Sequence, residues 1–175
     1  MGQNGGSPRA PRCIALVGPF QSGKTTLLEA ILARTGAIAK AGSVDAGTSI
    51  GDATPEARER KMGLALNAAS TTFMDDGYTF IDCPGSMDFI HDMRAALPAV
   101  DAAVVVCEAD ERKLQQLQLI LRELEDRGIP RFLYLNKIDK ANRRIRETLQ
   151  LLQPASRLPL VLRQIPIWQG DLIAG

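Results

Sequence analysis

Residues 18–26 read GPFQSGKTT, the pattern GxxxxGK[ST], and this restricts the fold more than anything else in the chain. The pattern works only between a buried strand and a helix. Residues 13–17, CIALV, supply the apolar run before it, and Leu27, Leu28, Ile31 and Leu32 follow at helical spacing. Gly18 and Gly23 allow the backbone to curl so that successive amide N–H groups point inward, and the helix amino terminus adds its partial positive charge. Pro19, Phe20, Gln21, Ser22 and Thr26 complete the predicted cradle. Lys24 is placed to reach outer phosphate oxygens, and the Thr25 hydroxyl is placed to ligate magnesium. With ordinary residue frequencies the pattern arises by chance in roughly one chain of this size in 200. A nucleoside polyphosphate ligand is therefore expected.

The remaining apolar runs extend the same architecture. Residues 102–107 and 132–135 are continuous apolar segments, expected to be strands buried on both faces of a largely parallel sheet. A helix is predicted over 112–127, with Leu114, Leu117, Leu121 and Leu124 on one face and Gly128 and Pro130 ending it. FMDDGYTF suggests a hairpin turn at Asp76-Gly77, making one strand antiparallel. Residues 36–63 fit neither period, and an irregular connection of that length in a compact domain points to function. The fold class expected is α/β, with helices on both faces of a mostly parallel sheet carrying one antiparallel strand.

Composition excludes several alternatives. With 21 basic and 20 acidic residues the net charge is +1, which gives no strong field toward nucleic acid or an anionic membrane. Cys13, Cys83 and Cys107 are odd in number and lack metal-ligand spacing, so reduced packing thiols and a cytoplasmic location are expected. The polar residues 1–11 read as a flexible tail and not as a signal peptide or lipid anchor, and no apolar run approaches ~18 residues, so no membrane span is expected.

Two further motifs fall at predicted strand ends. In FIDCPGSMDFIH, residues 80–91, Asp82 ends a strand where an open sheet binds ligands, and it is placed to hold magnesium directly or through water. Gly85 offers an unhindered backbone N–H suited to a third phosphate. Capping of the helix that begins near Ser86 is a compatible role for Asp82. NKID, residues 136–139, ends another strand. An ionised carboxylate only accepts hydrogen bonds, so Asp139 matches the ring N–H and exocyclic amine of guanine, and adenine offers no such pair. Asn136 is expected to tie loops together or touch the base, and the Lys137 stem to cover the base's face.

The three motifs, in this order, resemble those of the translational GTPases. GKTTLLEAILARTGAIAKAGSVDAGTSIGD, DCPGSMDFIHDMRAALPAVDAAVVVCEA, RGIPRFLYLNKIDK and RQIPIWQGDLIAG look most like the amino-terminal part of elongation factor G and its paralogues, over nearly the whole chain from Arg12. The resemblance implies a P-loop NTPase three-layer fold binding GTP or GDP with Mg2+ and no other metal. It also implies the ribosome as partner, a role in protein biosynthesis, and no membrane association. By the same resemblance, residues 36–63 are the first switch and 82–93 the second.

Both switches depart from the family pattern. Ala65 stands where a threonine hydroxyl normally binds magnesium, and Ser86 follows Gly85 where a histidine normally positions the attacking water. Gln21 replaces the usual aspartate of the phosphate loop. Catalysis by family would fall to Lys24 and position 86, so slow hydrolysis is expected, with a non-hydrolysing GTP sensor or ribosome-binding factor as the alternative. An ATPase or kinase is disfavoured by residues 136–139. His91, about 140° around a helix from Ser86, reads as a bystander. The domain expectation is a tail at 1–11, a GTP-binding core at 12–157, and a last strand or the start of an inserted subdomain at 158–175 of a truncated chain.

Overall fold

In the computed structural model, residues 12–42, 66–86, 90–140, 144–169 and 172–173 are described. The expected tail, most of the first switch and Ala65 lie outside these residues. Apolar β1 (Arg12–Val17) runs into the phosphate loop, and α1 (Lys24–Arg34) returns over the sheet. After the long connection come β2 (Asn67–Phe73) and β3 (Asp76–Asp82), then α2 (Ile90–Ala96), β4 (Ala102–Cys107), α3 (Leu114–Asp126), β5 (Arg131–Leu135) and α4 (Ile145–Leu152). The sheet order is β2-β3-β1-β4-β5, with β1 parallel to β3 and β4, β4 parallel to β5, and only β2 reversed.

Alternation along the strands splits the core. Ala15, Val17, Ala103, Val105 and Cys107 face the side covered by Met93 and Leu97 and by Leu117, Leu121 and Leu124 of α3. Leu16 and Phe80, with Ile14, Tyr78 and Val104, face Leu28 and Leu32 of α1. Helices therefore cover both faces, as expected of three layers. The α3 helix ends where Gly128 takes φ 66°, with Gly128 N–H on Glu125 O at 3.0 Å and Ile129 N–H on Leu124 O at 3.0 Å. All three cysteines are free, with Cys83 and Cys107 buried.

Two expectations are corrected. The hairpin turns at Met74-Asp75, both at positive φ (51° and 65°), and Asp76 already pairs with Phe73. Moving a turn by two residues keeps every side chain on its original face, so alternation could not distinguish the two positions. Cross-strand pairing did, for example through the 2.9 Å Ser70–Thr79 hydroxyl contact. Second, β5 is not buried on both faces. Leu133 and Leu135 join the core, but Phe132 and Tyr134 are 63% and 43% exposed. Among the described residues β5 is the sheet edge, and α1 lies over the β1–β3 side of that face.

Residues 159–167 carry no regular structure. Among the described residues, the short strands β6 (Trp168–Gln169) and β7 (Leu172–Ile173) pair only with each other, as a separate two-stranded sheet. Among the described residues no helix is long and apolar enough to cross a membrane.

Candidate functional site

The carboxyl ends of β1, β3, β4 and β5 deliver four loops to one edge of the sheet, where a parallel sheet offers its ligand crevice. The loop after β1 is shaped by glycine. Gly18 has φ 150°, and a Cβ there would lie 2.0 Å from the Val106 carbonyl oxygen of β4. Gly23 has φ 97° and caps α1, and a Cβ there would meet Asn136 Nδ2 at 2.3 Å. Ser22 N–H closes the turn on Pro19 O at 3.2 Å. Gly23 gives α1 no side-chain cap, and its first turn holds no acidic residue, so the helix presents unscreened positive N–H groups.

Lys24 lies back across this loop, its Nζ donating to Gly18 O and Pro19 O at 3.1 Å each. The side chain is buried, and burial lowers its pKa to about 8, with Asp82 pulling the other way. Asp82 moves toward its neutral form for the same reason. Burial raises its pKa, against the Thr25 hydrogen bond and the Lys24 charge.

The Thr25 hydroxyl donates to Asp82 Oδ2 at 2.6 Å, which joins the start of α1 to the end of β3 across 57 residues of sequence. The other oxygen, Asp82 Oδ1, is buried and, among the described residues, has no hydrogen-bond partner. A hydroxyl and a carboxylate side by side, with one carboxylate oxygen unsatisfied beside a phosphate loop, form a donor set that fits a hard divalent cation such as Mg2+.

Gly85 packs tightly against the phosphate loop. A Cβ at Gly85 would lie 2.4 Å from Lys24 Nζ, 3.0 Å from Pro19 O and 3.1 Å from Gly18 O. A side chain here would have to displace the lysine ammonium or spread the two loops. Ser86 follows, half-buried.

The loop after β5 is tied to the first by its motif residues. Asn136 N–H donates to Cys107 O at 2.8 Å, and its Nδ2 donates to Ser22 O at 2.9 Å, fixing β5's exit to both β4 and the phosphate loop. Lys137, at φ 53°, sends Nζ to Gln21 O at 2.6 Å and to Glu108 at 3.2 Å. Glu108 also binds Lys113 at 2.5 Å. Asp139 sits in a single 3-10 turn, Ile138–Lys140, with its side chain exposed. Pro19 is buried, Phe20 half-buried, and Gln21 and Thr26 exposed.

The structure thus brings together Gly18, Lys24, Thr25, Asp82, Gly85, Asn136 and Lys137, and leaves His91 exposed on α2. Several participants were not marked by any local pattern. Gln116, near the start of α3, donates from Nε2 to Gly85 O and accepts from Phe20 N–H at 3.4 Å. Buried Glu29 of α1 accepts Gly42 N–H at 2.8 Å, anchoring the chain where the long connection begins. Glu29 falls in a helix of ordinary polarity, and Gln116 stands among three glutamines, Gln115, Gln116 and Gln118. Only the fold singles them out.

Residues 10–161 match the family described as "Elongation factor Tu GTP binding domain". An "Elongation factor G-like protein" of Synechocystis sp. is 37% identical over 164 residues, which is 94% of this chain and 24% of that protein. A mitochondrial "Ribosome-releasing factor 2" of Danio rerio is 33% identical over 166 residues, 94% of this chain and 22% of the relative. The solved structure of a Thermus thermophilus protein superimposes with a TM-score of 0.83 at 32% identity, covering 94% of this chain and 25% of the other. This chain therefore spans about a quarter of the length of these relatives.

Proposed function

The chain belongs to the elongation factor Tu GTP-binding domain family, and on that premise we propose that it binds GTP and GDP with magnesium, coupling nucleotide state to ribosome binding. The observation that carries this reading is the pair of ties from the NKID loop to the phosphate loop, Asn136 to Ser22 O and Lys137 to Gln21 O. These bonds hold a base-reading carboxylate and a phosphate cradle at a fixed separation, which is what recognition of one whole nucleotide requires. Asp139 accepts from the guanine ring N–H and amine, and the amides of residues 18–25 with Lys24 hold the phosphates. Thr25 and Asp82 would hold magnesium, which when bound neutralises charge on the outer phosphates.

Ser86 supports slow hydrolysis. Its hydroxyl is shorter than an imidazole and offers less reach toward an attacking water, while the residues assigned to the inner phosphates and to guanine are unaffected. A GTP sensor whose shape responds to nucleotide while hydrolysis is nearly silent follows from the same observation.

Competition binding tests the reading. Fluorescent GDP should be displaced by GDP and GTP and hardly by ATP, since a site built to pair with a base's hydrogen-bonding edge rejects the wrong base by ~10⁴ or more. Chelation of magnesium should weaken retention of the nucleotide. Equal displacement by ATP and GTP would overturn the proposal.

A further inference from the structure

We propose that Gln116 is a positioning residue for nucleotide discrimination: it holds the Gly85 loop against the phosphate loop and so sets the preference for a third phosphate. This inference rests on the reading that the site takes guanine nucleotides and that the Gly85 N–H meets that phosphate.

One amide group spans the two loops. Gln116 Nε2 donates to the Gly85 carbonyl, and Oε1 accepts from Phe20 N–H, the middle of the phosphate loop, at 3.4 Å. Its mount is rigid. Leu117, the next residue, is buried in the core along with Ile120, Leu121 and Leu124 of the same helix. A group carried on a packed helix holds its direction better than one carried on a loop.

The Gly85 peptide needs such a hold. Pro84 before it has a fixed φ, and Gly85 has no side chain to limit its own rotation. Space around it is narrow, since a Cβ would lie 2.4 Å from Lys24 Nζ and 3.0 Å from Pro19 O. The remaining freedom is rotation about ψ of Pro84, which turns the plane carrying the Gly85 N–H, and about the two backbone bonds of Gly85. With the carbonyl bonded to Gln116, that rotation is restrained and the N–H starts from a defined direction. GDP has no group that reaches this N–H, so its affinity should be nearly independent of Gln116.

Position 116 also distinguishes itself from its neighbours. Gln115 is exposed, and Gln118 Nε2 donates to Pro154 O at 3.4 Å. Three similar residues in one helix thus have three different environments, and only one faces both phosphate-binding loops.

The test compares GDP with a non-hydrolysable GTP analogue whose β–γ bridge is NH, using the full chain with magnesium. Gln116→Met keeps length and helix propensity but removes donor and acceptor. Loss of one such hydrogen bond corresponds to a roughly three- to tenfold weakening of analogue binding. GDP affinity should change less than about twofold, because the phosphate-loop bond is the weaker of the two. Gln116→Asn, whose amide is one methylene short of bridging both loops, should give the same shift in ratio if the methionine variant folds poorly. Hydrogen exchange in 82–86 should quicken in the nucleotide-free variant, while exchange in α3 stays as in the parent. Equal weakening of both nucleotides, or an unchanged ratio in both variants, would overturn the assignment. A parent protein that binds neither nucleotide would instead overturn the guanine-nucleotide reading, and this proposal with it.

Discussion

Raising the pH from about 7 to about 9 should weaken nucleotide binding about tenfold through Lys24 alone. The side chain is 7% exposed, and burial lowers its pKa from 10.5 to about 8. That displacement is a penalty of roughly 3 kcal/mol on the protonated form in the nucleotide-free protein. Phosphate oxygens beside Nζ favour the ammonium, so bound nucleotide raises the pKa again. The signs follow. Below about pH 8 the free protein already carries the proton, and affinity is flat. Above it, binding must take up a proton, and the protonated fraction falls from about nine-tenths at pH 7 to about one-tenth at pH 9.

Stability of the nucleotide-free chain moves oppositely. The folded state holds fewer protons at Lys24 than the unfolded state between about 8 and 10.5, so stability rises with pH across that window. Titration calorimetry with GDP in two buffers of different ionisation enthalpy reads both the affinity and the proton uptake. The range stops near pH 9 because the guanine ring N–H itself begins to ionise beyond it. Constant affinity up to about pH 9 with no proton uptake would refute the buried-lysine reasoning.

Gly18→Ala should cost about 3–5 kcal/mol in urea unfolding, because its Cβ would lie 2.0 Å from a backbone oxygen of central strand β4; Gly36→Ala, with φ 77° and nothing within 4 Å, should cost about 1 kcal/mol. Similar losses at both positions would remove the packing explanation. Asp139→Asn exchanges an acceptor for an amide that can donate to the C2 carbonyl of xanthine, so competition binding should shift from guanine toward xanthine nucleotides. Retained guanine preference would count against the base assignment. Ser86→His should raise ribosome-stimulated hydrolysis by about 10²-fold or more if water positioning limits the rate. An unchanged single-turnover rate would place the limit elsewhere.

The parts legible from the sequence are those whose physics is local. The strand, phosphate loop and first helix could be read because glycine's freedom, helix periodicity and the lysine-threonine pair lie in consecutive residues; Leu27, Leu28, Ile31 and Leu32, read at helical spacing, all fall within α1. Asp82 and Asn136 could be placed at strand ends because apolar runs stop there. The hairpin register was not legible, since a two-residue shift preserves alternation. The exposed face of β5 was not legible either. Phe132 and Tyr134 look like core residues in sequence, and only the order of strands puts them at an edge.

The sequence by itself determined the α/β layering, the phosphate loop and the three motifs, because backbone conformation and periodicity are encoded in neighbouring residues. Tertiary structure alone decided which groups meet. It set Thr25 against Asp82 across 57 residues, Asn136 against Ser22 across 114, and Gln116 against Phe20 across 96. It also decided the titration of Lys24, because burial is a property of everything packed around a group.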